Sequence, residues 1–318
     1  MNQIYEKLAN HIPLTYEDAV TMLDVELFGV AYYTILQQAN QYARKTFHNT
    51  GTIFAQIGID CAPCSVNCQF CRLAVDNFGQ TEQTCMPVES IVERAVCATQ
   101  DGANEVFIMC TAEYHKDDFL TIGKAVRAAT PPDTRLVANV DDFDVAYGQK
   151  LKDAGFTGVY HICRLGEGVV TQATVEKRIA TLDAIKESGL ELYYCVEPIG
   201  PEHTGEEIAT EIFRAKDYDV NVMAVMRRIC FEGSPLAQHG EITAVKLALI
   251  CAVSTLCVKP NRAMGVHEPE IISLLSGANQ IYAEAGSNPR DTAIQTEQSR
   301  GFSVKDAQKM LIDAQWNL

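Results

Sequence analysis

The sequence predicts an α/β fold, a closed (β/α)8 barrel with an N-terminal helical extension. Three observations predict it. Short, near-continuously apolar segments recur, separated by amphipathic helical stretches, as in a parallel sheet covered by helices. There are eight such segments, enough to close a barrel. The first is followed by "CAPCSVNCQFC" (61–71), where an open doubly wound sheet would carry a glycine-rich phosphate loop. The 318 residues fit one barrel domain. Residues 1–50 are expected as a helical layer, 51–290 as the barrel and 291–318 as a C-terminal helical segment.

The helical layer holds "LTYEDAVTMLDVE", in which Thr15 is placed to cap a helix and Asp18 to reach back as in a capping box. This layer is expected to close the barrel bottom. Strands are predicted at 52–60, 105–110, 135–140, 158–163, 191–197, 220–226, 256–264 and 278–284. The intervals read as helices, for example "VEKRIATLDAIKESG" and "GEEIATEIFRAK". No linker, repeat or low-complexity segment interrupts them.

Composition narrows the function. The 47% hydrophobic and 21% charged content is that of an ordinary globular chain. The net charge of −15 and the lack of a basic stripe argue against nucleic acid as a partner. There is no secretory signal at the start and no apolar run long enough to span a membrane, so a cytoplasmic protein is expected. Twelve cysteines in a reducing compartment are buried fillers or ligands, not disulfides. Cys97 and Cys251 fall in helical patterns and read as core; Cys85 reads as bland too.

The cysteine stretch follows the first strand, on the barrel face where active sites form. Cys61 and Cys64 are separated from Cys68 and Cys71 by three residues, tight for a four-thiolate zinc centre. An electron-transfer cluster normally takes four protein thiolates. Cys64, Cys68 and Cys71 form C-x3-C-x2-C, with aromatic Phe70 before the last. Zinc and a ferredoxin-type site stay open alternatives to a four-iron cluster with one iron left open.

This pattern, after the first strand of a barrel, resembles the radical S-adenosylmethionine (SAM) enzymes. The resemblance implies that Cys64, Cys68 and Cys71 hold a [4Fe-4S] cluster whose open iron chelates SAM, with Cys61 a bystander. It places Glu113 of "MCTAEY" at the SAM amino group and Phe70 against a planar ring. It sets Arg178 at the SAM carboxylate and Glu197 beneath the adenine. No side chain is expected as a catalytic acid or base.

Within the superfamily the chain resembles biotin synthase, through "LTYEDAVTML", "GIDCAPCSVNCQFC", "TVEKRIATLDAIKESG", "EGSPLA" and "LLSGANQIYAEAG". That family holds an auxiliary cluster, its sulfur source, inside the barrel on three cysteines and an arginine. The resemblance puts Cys110 and Cys195 at two of the cysteine positions and Arg262 at or next to the arginine. Ala138 and Asn139 stand where the strand-three cysteine would be. Cys163 and Cys230 lie near strand ends, so four cysteines are expected at one barrel mouth. They would hold an auxiliary iron–sulfur cluster of altered ligation, similar to a type II, anaerobe-type biotin synthase. The alternative is that some of them pack the core.

Of biotin synthase's Asn-His-Asn stretch, which contacts substrate and SAM, His161 alone survives; Arg164 is a new charge at the mouth that could bind the ribose, a carboxylate or a cluster sulfide. Asn139, Tyr160, Arg227 and Arg228 are expected at the substrate; the latter two arginines could equally pair with acidic residues. The implied reaction is sulfur insertion into dethiobiotin in an anaerobic setting, with flavodoxin or ferredoxin as reductant and a homodimer left open. A one-cluster carbon-skeleton or methylation reaction, as in the methylornithine synthase-like branch, is the alternative, and a non-catalytic iron–sulfur scaffold is a third reading.

Overall fold

The computed structural model describes residues 1–79, 83–291 and 302–318. The chain opens with helices α1 (Asn2–Ala9), α2 (Tyr16–Leu23) and α3 (Val30–Thr46). Strand β1 (Thr52–Gly58) follows, then the small antiparallel pair β2 (Asp60–Cys61) and β3 (Thr84–Cys85) around the cysteine loop. The barrel continues with α4 (Val88–Gln100), β4 (Glu105–Met109), α5 (Lys116–Ala129), β5 (Arg135–Asn139), α6 (Val145–Asp153) and β6 (Gly158–Tyr160). Next come α7 (Val175–Ser188), β7 (Glu191–Ile199), α8 (Gly205–Asp217), β8 (Val222–Arg227), α9 (Ala244–Val258) and β9 (Ala263–His267). Helix α10 (Ile271–Leu274), β10 (Gln280–Gly286) and α11 (Val304–Asp313) complete it.

Eight parallel strands close in the order β1-β10-β9-β8-β7-β6-β5-β4. This is the closed barrel that the alternating pattern implied. Thr15 caps α2 in a full capping box with Asp18. Helices α2 and α3 pack against α8 and α9 on the barrel's flank, where closure of the bottom had been expected. The strand expected at 256–264 is also corrected: 256–258 finish α9, and the strand begins at Ala263. Helix α9 is buried almost all round, so its apolar run has no helical face to betray it. Cys251 is core, as expected; Cys97 is exposed, because α4 buries the Ile91 and Ala95 side.

Side chains alternate in and out along each strand. On β7, Glu191, Tyr193, Cys195 and Glu197 face the interior at rising levels. The lowest level is ionic: Arg262, just before β9, pairs with Glu105 and with Glu191 Oε2 at 2.9 Å, and donates to the Tyr193 hydroxyl at 2.7 Å. Above it lies an aromatic layer of Phe54, Phe107, Tyr193 and Tyr282, closed by Val137, Val222 and Ala263. Phe107 meets Phe54 at 4.4 Å and Tyr193 at 5.2 Å between centroids. This layer plugs the barrel, so the space above it opens only at the C-terminal mouth. At that mouth Gly58 ends β1 against the backbone of Ser287; a Cβ there would stand 1.9 Å from the Ser287 oxygen. Among the described residues, no helix is long and apolar enough to cross a membrane.

Candidate active site

The cysteine loop is folded by its own backbone. Cys64 N–H donates to Leu73 O at 2.7 Å, Cys71 N–H to Cys68 O at 2.9 Å, and Leu73 N–H to the Cys71 sulfur at 3.3 Å. Asn67 sits at φ 50°, turning the chain between the first two thiols. Two strand-like bonds, Gln69 N–H to Val170 O and Gln172 N–H to Val66 O, moor the loop to the segment after β6. Glu113 adds a third mooring, accepting from Ser65 N–H at 3.0 Å.

A cavity lies between this loop and the strand ends. Cys64, Cys68, Cys71 and Phe70 line one side; Cys110, Asn139, Asp141, Tyr160, Arg164, Arg178, Glu197 and His267 line the barrel side. Burial pushes the Cys68 thiol up to about 11 and the Cys71 thiol well above its usual range. Thiols ligate a metal centre as thiolates, so a cationic iron cluster offsets this cost for Cys68 and Cys71. Cys61 is buried in β2 and does not line the cavity.

The barrel side is ionic. Asp142 is the hub of a buried network: His161 Nε2 lies 3.2 Å from Asp142 Oδ1, Arg178 Nη1 at 3.1 Å, and Thr181 donates at 3.0 Å. Burial opposes the Asp142 charge, but His161, Arg178 and Thr181 outweigh it and hold its carboxyl below the usual range. Arg178 Nε also lies 3.4 Å from Glu167, and Arg164 Nη1 3.5 Å from the same carboxylate. Five buried atoms of this network have no hydrogen-bond partner among the described residues: His161 Nε2, Asp142 Oδ2, Arg178 Nε, Arg164 Nε, which is 4.0 Å from Glu197, and Asp141 Oδ1, which is 3.7 Å from Arg178 Nη1. The last two, on a guanidinium and a carboxylate that face one cavity, leave hydrogen-bonding capacity that suits the zwitterionic aminoacyl end of SAM. The donor set and these two atoms therefore fit a three-thiolate cluster with SAM beside it.

The other expected residues separate. Tyr160 and Asn139 line the cavity, but Arg228 pairs with Glu202 and Gly240 O, and Arg227 Nη2 faces Glu270 at 3.7 Å. Of the four cysteines expected at one mouth, Cys110 lines the cavity and Cys195 lies inside the barrel. Cys163 is three residues past β6 and turned outward: its backbone meets the hydroxyl of Tyr194, which reaches Glu211 of α8. Cys230 lies beyond β8, its sulfur on Gly240 O at 3.5 Å. Arg262 lies at the opposite end of the barrel, below the aromatic layer, because it precedes its strand. The five do not converge. Asp141, Asp142 and His267 are site residues that the sequence reading passed over. "DD" directly after the third strand was a usable signal. His267 was hidden by the misplaced seventh strand.

Fold and loop together define a (β/α)8 barrel with three thiols at its mouth. No family model matches the chain. The chain is 23% identical over 266 residues to a biotin synthase of Streptococcus agalactiae, covering 78% of this chain and 76% of that one. It is 24% identical over 303 residues to the biotin synthase of Pelotomaculum thermopropionicum, covering 88% and 91%. Its fold is similar to the hydrogenase maturase HydG of Carboxydothermus hydrogenoformans, with TM-score 0.81, 16% identity and coverage of 98% of this chain and 77% of that one. It is also similar to methylornithine synthase (PylB), with TM-score 0.77, 17% identity and coverage of 98% and 96%. The chain is thus similar in sequence to biotin synthases and shares its barrel fold with HydG and methylornithine synthase.

Proposed function

We propose that Cys64, Cys68 and Cys71 hold a [4Fe-4S] cluster, that SAM lies across the cavity, and that a small molecule binds beneath it and loses a hydrogen atom. The cavity that puts three thiols opposite Arg164 Nε and Asp141 Oδ1, both without a hydrogen bond among the described residues, carries this reading. When bound, the cluster supplies the electron that cleaves SAM to a 5′-deoxyadenosyl radical. The chain's part is placement. Arg164 and Asp141 take the two charges of the aminoacyl group, and Phe70 flanks the thiols. His161 and Arg178 hold the Asp142 hub that keeps the wall in place. The aromatic layer closes the floor against water. A small reductant such as flavodoxin or ferredoxin would deliver the electron.

For the reaction itself, the geometry supports a one-cluster carbon-skeleton or methylation step best. Cys163 and Cys230 turn away from the cavity, Arg262 lies at the far end, and aromatic side chains fill the barrel between. Sulfur insertion into dethiobiotin is the second reading. Similarity to biotin synthases over most of the chain favours it, and Cys110 and Cys195 face the interior. Iron and sulfide analysis after anaerobic reconstitution, with and without Cys64→Ala/Cys68→Ala/Cys71→Ala, separates the two. About four irons with matching sulfide, the sulfide all lost in the variant, support the one-cluster reading. Iron and sulfide kept by the variant, with biotin formed from dethiobiotin, would replace it with sulfur insertion.

A further inference from the structure

Above the aromatic floor the barrel holds a group of side chains that the cysteine loop does not use. Cys195 and Glu197 flank Val196 on β7, so both point inward. His267, the last residue of β9, reaches them from across β8. The Cys195 sulfur, one Glu197 oxygen and one His267 nitrogen all lie within 4.8 Å of one another, and all three residues are buried. Buried this deeply, a thiolate and a carboxylate side by side are costly unless a cation joins them.

We propose that Cys195, Glu197 and His267 bind one divalent transition-metal ion, with a further coordination position open to the cavity. One sulfur, one nitrogen and one oxygen donor select zinc, iron(II) or cobalt(II) over magnesium or calcium. A thiolate and a carboxylate together balance a divalent charge. The Tyr160 hydroxyl donates to Glu197 Oε2 at 2.9 Å and so orients the oxygen ligand from outside, as partners of metal ligands commonly do. The Tyr160 ring stacks on His267, with centroids 6.0 Å apart, and Phe54 packs on the same imidazole at 5.4 Å. Both contacts fix the nitrogen ligand's plane. Nearby Arg290 is engaged elsewhere, 3.3 Å from Glu268 and 3.7 Å from Glu284.

This ion would lie on the cavity side of the aromatic floor, below the space given to SAM. It would take a carboxylate or amine of the substrate as its additional ligand. Glu197 is thereby a metal ligand and not an adenine contact. Only the use of the ion rests on the radical SAM reading; its binding does not.

The probe is Co2+, added to the chain carrying Cys64→Ala/Cys68→Ala/Cys71→Ala, so that no loop thiolate competes. A single ion per chain is expected, with a thiolate-to-cobalt charge-transfer band. Adding Cys195→Ser, nearly isosteric, abolishes the band; Tyr160→Phe weakens binding about tenfold. Circular dichroism checks that each variant is folded. Should the loop variant not fold, zinc per chain is compared between the reconstituted wild type and Cys195→Ser. Absence of bound metal, or a band unchanged by Cys195→Ser, overturns the proposal. Formation of 5′-deoxyadenosine by the wild type is scored separately: cobalt binding without it sinks the radical reading alone, and the converse sinks only the metal site.

Discussion

Glu113 accepts a hydrogen bond from the backbone N–H of Ser65 at 3.0 Å, tying the segment after β4 to the cysteine loop. The carboxylate is spent on the loop and does not line the cavity, so it acts as a mooring. Glu113→Gln keeps an acceptor and should leave SAM affinity unchanged. Glu113→Ala should loosen the loop by about 1 kcal/mol, read as faster loss of iron to a chelator. A Glu113→Gln variant that binds SAM poorly would return Glu113 to the SAM amino group.

Asp141 Oδ1 is buried on the cavity wall without a hydrogen bond among the described residues, 3.7 Å from Arg178 Nη1. If it receives the SAM ammonium, Asp141→Asn should weaken SAM binding by about 2 kcal/mol, roughly thirtyfold in Kd, since hydrogen bonds between charged groups are worth that much. Equilibrium dialysis of the reconstituted protein measures it. An unchanged Kd rules out that contact.

The barrel was legible because its strands are apolar runs bounded by helical patterns, and the capping box because its two residues act locally. The cluster loop was legible because spacing alone constrains three thiols. What the sequence hid depends on direction. Cys163 and Cys195 look alike on paper, yet one lies past its strand and turns outward and the other alternates inward. Arg262 read as a cavity residue until α9 proved to run to Val258 and moved the strand start to Ala263. The Cys195–Glu197–His267 group joins strands that are distant in sequence, so no spacing could announce it.

Arg262 stands among Glu105, Glu191 and Tyr193 at the barrel bottom. Removing one partner of a buried ionic group costs about 3–5 kcal/mol. Arg262→Ala should lose that much stability in denaturant unfolding while its reconstituted iron content stays at the wild-type value. A drop in iron with unchanged stability would make Arg262 a cluster ligand after all.

Asp142 gives the pH prediction. Its carboxyl is held below the usual range in the folded chain, so its stabilisation is complete above the unfolded value, ~3.9, and is lost as pH falls from there through the folded value. Asp142→Asn should destabilise by about 3 kcal/mol at neutral pH. That gap should hold down to mildly acidic pH and shrink once pH drops below the ordinary carboxylate range. Urea melts across that span test it; a gap that widens on acidification contradicts the assignment.

The central claim is that the three-thiol loop turns over SAM. The most direct measurement is 5′-deoxyadenosine released when reconstituted, dithionite-reduced protein meets SAM under anaerobic conditions. Wild type should release it, and Cys64→Ala/Cys68→Ala/Cys71→Ala should not. Release from neither, with iron bound to the wild type, would leave the chain an iron–sulfur protein without radical chemistry; equal release from both would move the chemistry away from this loop.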